Sequence, residues 1–127
     1  MSGALRTGLE FEEVTDTAEV RRVTDRMYEE LSEGKPSSYP NSILRVVSVR
    51  PDSSGEQAEF QKGDVLLGIV ETVREFWKNR TILHTYATLK ELDDSLHVIV
   101  QRQREPEADV WILRNDDVWD GPLKLSR

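Results

Sequence analysis

The chain has 127 residues, enough for one domain with its own core. Seventeen basic residues against 24 acidic ones give a net charge of −7, which argues against the basic face that nucleic-acid binding requires. There is no cysteine, so disulfides, thiolate metal sites and thiol nucleophiles are excluded.

No apolar run approaches the roughly 20 residues of a membrane span, and the opening MSGALRTG lacks the apolar stretch of a signal peptide. Met1-Ser2-Gly3 reads as the start of a domain excised from a longer protein. Residues 5–15 place Leu9, Phe11 and Val14 between glutamates, the pattern of a short, half-exposed strand. The period then changes. Val20, Val23, Met27 and Leu31 mark one face of a helix, with Asp16 and Glu19 as a capping box and Gly34 and Pro36 as its stop. Its other face, with Arg21, Arg22, Asp25, Arg26, Glu29 and Glu30, reads as a solvated face supported by an Arg26–Glu30 pair.

Residues 35–42 are a loop by composition, and the β-branched run 43–49 is a strand. A very short helix is expected over 57–60, capped by Ser53 or Ser54, followed by a Gly63-Asp64 turn. VLLGIV, residues 65–70, is apolar on both faces and belongs in the interior. Residues 71–85 form a flap or extended hairpin, with Phe76 and Trp77 as an exposed-patch candidate among Arg74, Lys78 and Arg80. Leu89, Leu92, Leu96 and Ile99 restore the helical period behind a Thr88/Glu91 capping box, and Pro106 ends that stretch. VWILR, NDD and VWDGPLKL then read as a terminal β-hairpin. The order implies an α+β domain with a small, mostly antiparallel sheet and two helices.

Catalytic chemistry is missing from this pattern. His84 and His97 are the only histidines, and neither stands in a nucleophile–base arrangement. No metal-ligand spacing occurs, and RNDDVWD, residues 114–120, lacks the glycine and distal glutamate of a calcium loop. The expectation is a non-enzymatic domain with no cofactor and no metal.

ILRVVSVRPDSSGEQAEFQKGDVLLGI, residues 43–69, resembles the central segment of PDZ domains of the bacterial HtrA/Deg trypsin-like serine protease type. Val49, Pro51, Ser53, Ala58, Phe60, Gly63, Asp64 and the apolar run 65–69 carry the match. Ser54-Gly55 departs from the usual Pro-Ala, and Glu59 stands where the family usually has a glycine suited to positive φ. Both departures are expected to touch the scaffold rather than the groove. The resemblance covers the whole chain, with 71–85 as an insertion. It implies a PDZ-like, partly open antiparallel sandwich or barrel capped by two helices.

The resemblance also implies a function. RTGLEF, residues 6–11, is similar to the family's carboxylate-binding loop and first groove strand, with Gly8 and Leu9 matching and Thr7 in place of a larger apolar residue. A protein C-terminus or extended peptide would add as a strand beside residues 9–13, its carboxylate held by amides near Thr7, Gly8 and Leu9 with Arg6 adding attraction. Leu9 and Phe11 would line the pocket, with Leu92 and Leu96 opposite; by spacing alone those two leucines read first as core. Glu10, Glu12 and Glu13 would disfavour acidic peptides. The implied parent is a protease of the periplasm or cell envelope, in which this domain recognises substrates or regulates cleavage and which can form homo-oligomers. The alternative is a PDZ-like spacer or assembly domain with an unused groove, interacting through 71–85.

Overall fold

The computed structural model describes residues 7–125. Its elements are β1 (Leu9–Val14), α1 (Thr17–Leu31), β2 (Ile43–Val49), α2 (Ser54–Gln57), β3 (Val65–Glu75), β4 (Lys78–His84), α3 (Leu89–Arg102), β5 (Glu107–Arg114) and β6 (Asp117–Lys124). The architecture is α+β. All strand pairs are antiparallel, in the path β1-β2-β3-β5-β6, with β4 branching onto β3. The path ends at β1 and β6, so the sheet is open. The hinge between its two halves is narrow: β2 meets β3 only at Leu44↔Leu66 and Arg45↔Val65.

The doubly apolar β3 is the wall between two cores. Leu66 and Ile69 join Leu9, Leu44, Val46, Leu92, Leu96, Val110 and Ile112 on the α3 side. Val65 and Leu67 join Val20, Val23, Ile43 and Leu113 on the α1 side. Alternation along the strand sends Val65 and Leu67 to one face and Leu66 to the other; the irregularity between Leu66 and Gly68 then shifts the phase and returns Ile69 to the Leu66 side, so both faces are covered. Each of these side chains, buried to within a few percent, contributes on the order of 1.5–3 kcal/mol of apolar burial.

Local chemistry sets the ends of the helices. The Glu19 amide donates to Asp16 Oδ2 at 3.0 Å and the Glu91 amide to Thr88 Oγ1 at 3.2 Å, so the N-cap half of each expected capping box forms, while the Glu19 carboxylate is engaged by Arg22. Helix α1 stops earlier than Gly34 suggests. Ser32 takes the left-handed conformation at φ +55° and its amide bonds back to the Glu29 carbonyl. The mini-helix spans Ser54–Gln57 rather than 57–60, because Ser53 Oγ accepts from the Glu56 amide and starts the turn three residues sooner. The polar face of α1 is also less free than expected. Arg22 bridges Glu19 and Asp116, and Arg26 Nε donates to the Asp116 carbonyl at 3.0 Å. These contacts tie the helix to the β5–β6 turn. The Arg26–Glu30 pair is a long 3.9 Å.

The insertion is regular. Strand β3 continues past the sheet and folds back as β4, from Ile69↔His84 to Glu75↔Lys78. Gly68 permits this exit: a Cβ there would lie 2.3 Å from the His84 carbonyl oxygen. The pairing with β5 ends at Val70↔Asp109, so the outer part of the β3–β4 hairpin is a two-stranded ribbon.

Candidate functional site

Strand β1 lies at one end of the sheet, with β2 on one side. Along residues 10–14 no second strand pairs with it among the described residues. Helix α3 packs beside it. Leu9, Leu92 and Leu96 share one core cluster, with Phe11, Leu89 and Val100 half-buried against it. Glu13 Oε2 accepts from the Leu89 amide at 3.0 Å, which satisfies one of the orphan donors at the start of α3. The C-terminal end of β1 therefore meets the N-terminal end of α3.

The loop before β1 is fastened from behind. Thr7 is fully buried; its carbonyl accepts from the Gly55 amide at 2.8 Å and from Ser54 Oγ at 3.5 Å. Gly8 has φ +81°, its carbonyl accepts from the Arg50 amide at 2.8 Å, and a Cβ on it would lie 2.2 Å from Ser53 Cβ. Only glycine fits that backbone and that space. Gly55 closes the other side: a Cβ there would sit 2.6 Å from Leu9 Cδ2 and 2.9 Å from the Thr7 carbonyl oxygen. Gly55 thus packs behind the loop, against the buried Thr7 and Leu9. Thr7 fills its buried place with a hydroxyl that accepts weakly, at 3.4 Å, from the Leu9 amide.

Of the residues expected to bind, Leu9, Phe11, Leu92 and Leu96 converge, with Thr7 and Gly8 at the head of the strand; Arg6 lies outside the described residues. Leu9, Leu92 and Leu96 are sealed inside the core, at 0–2 % exposure, while Phe11, Leu89 and Val100 are half-buried and pack against that cluster. Two of the three rim glutamates are engaged within the chain: Glu12 with Arg45, and Glu13 with the α3 amide. Glu10 is exposed.

Asp93 was not singled out by its sequence. It stands one turn after Leu89, and its Oδ1 is buried without a hydrogen-bond partner among the described residues. Burial raises its carboxyl above the usual aspartate range. A buried acceptor left open is unusual in a folded chain. Only a structure reveals it, since an aspartate at that spacing looks like any solvated helix position.

Both histidines have structural neighbours. His84 Nε2 lies 2.8 Å from Glu71 Oε2 at the base of the ribbon, and His97 Nδ1 lies 2.8 Å from the Asp93 carbonyl. Asp116, in the acidic turn, is engaged by Arg22 and Arg26. Among the described residues no group of three or more histidine, aspartate or glutamate side chains is arranged to hold a metal ion, and no helix is long and apolar enough to cross a membrane. Elsewhere, an open polar depression of about 890 Å³ lies between Glu12, Glu19, Arg22, Arg45, Lys62 and Asp116. Its charges are largely paired with one another.

Compared with protein-family models, with curated proteins and with solved structures, the chain matches none.

Proposed function

We propose that this chain is a peptide-binding module of PDZ type. A protein C-terminus or extended peptide adds as a strand along residues 10–14, between β1 and α3. The observation that carries the reading is the juxtaposition of that strand edge with α3, headed by a loop in which Gly8 holds a positive φ. Phe11, Leu89 and Val100 supply apolar contact. The amides of the Gly8 loop receive the terminal carboxylate, so anion recognition needs no basic face on a chain of net charge −7. The domain itself carries out no catalysis. Following the family resemblance, it serves a trypsin-like serine protease of the cell envelope as its substrate-recognition or regulatory part.

The test is a titration of the ¹⁵N-labelled chain with a diverse set of peptides ending in apolar residues, each also in C-terminally amidated form. Shifts at Gly8, Phe11 and Leu89, with dissociation constants on the order of micromolar and weakening on amidation, are expected. An absence of shifts at these positions across the set would remove the proposal. A second reading, a spacer whose groove is unused, draws on the complete burial of Leu9, Leu92 and Leu96, and that same absence would favour it.

A further inference from the structure

The outer ribbon carries a feature that peptide binding leaves unexplained. Five cross-strand pairs, from Glu71↔Ile82 to Glu75↔Lys78, extend beyond the pairing with β5. At about 3.4 Å per residue they carry the tip roughly 17 Å from the sheet. Phe76 and Trp77 form the two-residue turn and are 96 % and 91 % exposed. Their rings touch each other, with centroids 5.4 Å apart. Two-residue hairpin turns favour Asn, Asp and Gly, since positive φ is needed there. Phe76 nonetheless takes φ +20°. Two large aromatics thus occupy positions that turn chemistry disfavours, and they bury little within the chain.

The charges around the tip are of one dominant sign. Arg74, Lys78 and Arg80 stand within four residues of it, against Glu75 alone, on a chain that is acidic as a whole. Glu75 is itself engaged by Arg80 at 3.4 Å. The ribbon's reach is about twice the Debye length of roughly 8 Å at physiological ionic strength, so the acidic body is screened from whatever the tip meets. An aromatic pair ringed by cations and held away from an acidic body is complementary to an anionic lipid surface. Aromatic rings settle at the headgroup level there, and lysine and arginine gain from the surface potential.

We propose that the β3–β4 ribbon is a peripheral membrane anchor, inserting Phe76 and Trp77 into the interface of an anionic bilayer while Arg74, Lys78 and Arg80 contact its headgroups. The whole chain is mixed with vesicles of phosphatidylcholine containing about one-third phosphatidylserine, and with pure phosphatidylcholine, and bound protein is measured by flotation. Binding to the anionic vesicles that falls with added salt is expected, with a blue shift of tryptophan emission. F76S combined with W77S is expected to lower the bound-to-free ratio at least about tenfold, and K78E with R80E to abolish the preference for anionic lipid. All four side chains are exposed, so folding is expected to survive, as circular dichroism will verify. No binding to anionic vesicles, or equal binding by F76S/W77S, overturns the proposal. So does self-association in sedimentation velocity that depends on the tip and occurs without vesicle binding, because it assigns the aromatics to a second copy of this chain.

Discussion

Arg114 closes its guanidinium fork on the Asp64 carboxylate, Nε to Oδ1 at 2.8 Å and Nη2 to Oδ2 at 2.8 Å. Asp64 is 1 % exposed and also accepts from the Gln61 amide, while Arg114 Nη2 reaches the Glu59 carbonyl at 2.9 Å. One bidentate pair thus pins the turn before β3 to the end of β5.

Removing either partner strands a charge in a poorly solvated place. Asp64→Asn and Arg114→Met are each expected to lower the unfolding free energy by about 3 kcal/mol in urea titrations. Asp64→Asn combined with Arg114→Met is expected to cost clearly less than the sum of the two single changes, giving a large coupling energy in a double-mutant cycle. Arg114→Lys loses the fork geometry and is expected to fall between wild type and Arg114→Met.

Glu59 has φ +66° with an exposed side chain. A left-handed non-glycine residue is strained, whereas glycine accepts this backbone and gives back part of the gain through the freedom of the unfolded chain. Glu59→Gly is expected to stabilise by about 1 kcal/mol, with Glu59→Asn between the two, read as a shift in denaturation midpoint without a change in slope.

Leu9 and Phe11 separate folding from binding. Leu9→Ala opens a fully buried position and is expected to cost about 3 kcal/mol of stability. Phe11 is half-buried on the proposed peptide surface. Phe11→Ala is expected to cost about half as much while weakening peptide affinity about tenfold. Calorimetry of unfolding and peptide titration of the same two variants distinguish these outcomes.

Asp109 lies on the strand face shared with Glu107 and Asp120. Burial, then repulsion from Asp120 and Glu107, pushes its carboxyl above the usual aspartate range. A carboxyl whose folded pKa is raised destabilises the fold once ionised, and the penalty disappears as pH falls below the unfolded value. Asp109→Asn is expected to be more stable than wild type at pH 7, with the difference gone by about pH 3. Glu19 has the opposite sign. Its hydrogen bond to Arg22 lowers its pKa, so its contribution is present near neutrality and is lost as acid protonates the folded-state carboxyl. Thermal unfolding of Asp109→Asn and Glu19→Gln across that range will show the two trends diverging.

Local signals were legible in the sequence because local bonds make them. Asp16 and Thr88 cap their helices through residues three positions on, and residues 65–70 announce two covered faces by being apolar at every position but Gly68. The Arg114–Asp64 pair spans fifty residues and leaves no periodic trace. The register of α2 depended on which serine won the Glu56 amide, and two serines in a row do not reveal that. The ribbon was legible only as a flap or an extended hairpin, with Phe76 and Trp77 as an exposed-patch candidate, since Phe76-Trp77 contradicts ordinary turn chemistry and does not mark the turn. For the candidate site, spacing identified Leu92 and Leu96 as inward-facing. Spacing cannot distinguish a core leucine from one lining an open groove, and both are sealed. The role of Gly55 emerges only from its approach to Thr7 and Leu9.

The two-sided burial of residues 65–69 of β3 has a kinetic corollary. Because Val65 and Leu67 close one core while Leu66 and Ile69 close the other, neither helix can leave the sheet without exposing a strand on which the other still depends. Amide hydrogen exchange at residues 65–69 is therefore expected only through global unfolding, whereas amides of 72–75 on the outlying ribbon exchange by local fraying. A single continuous strand would thus contain the slowest-exchanging amides of the protein and some of its fastest.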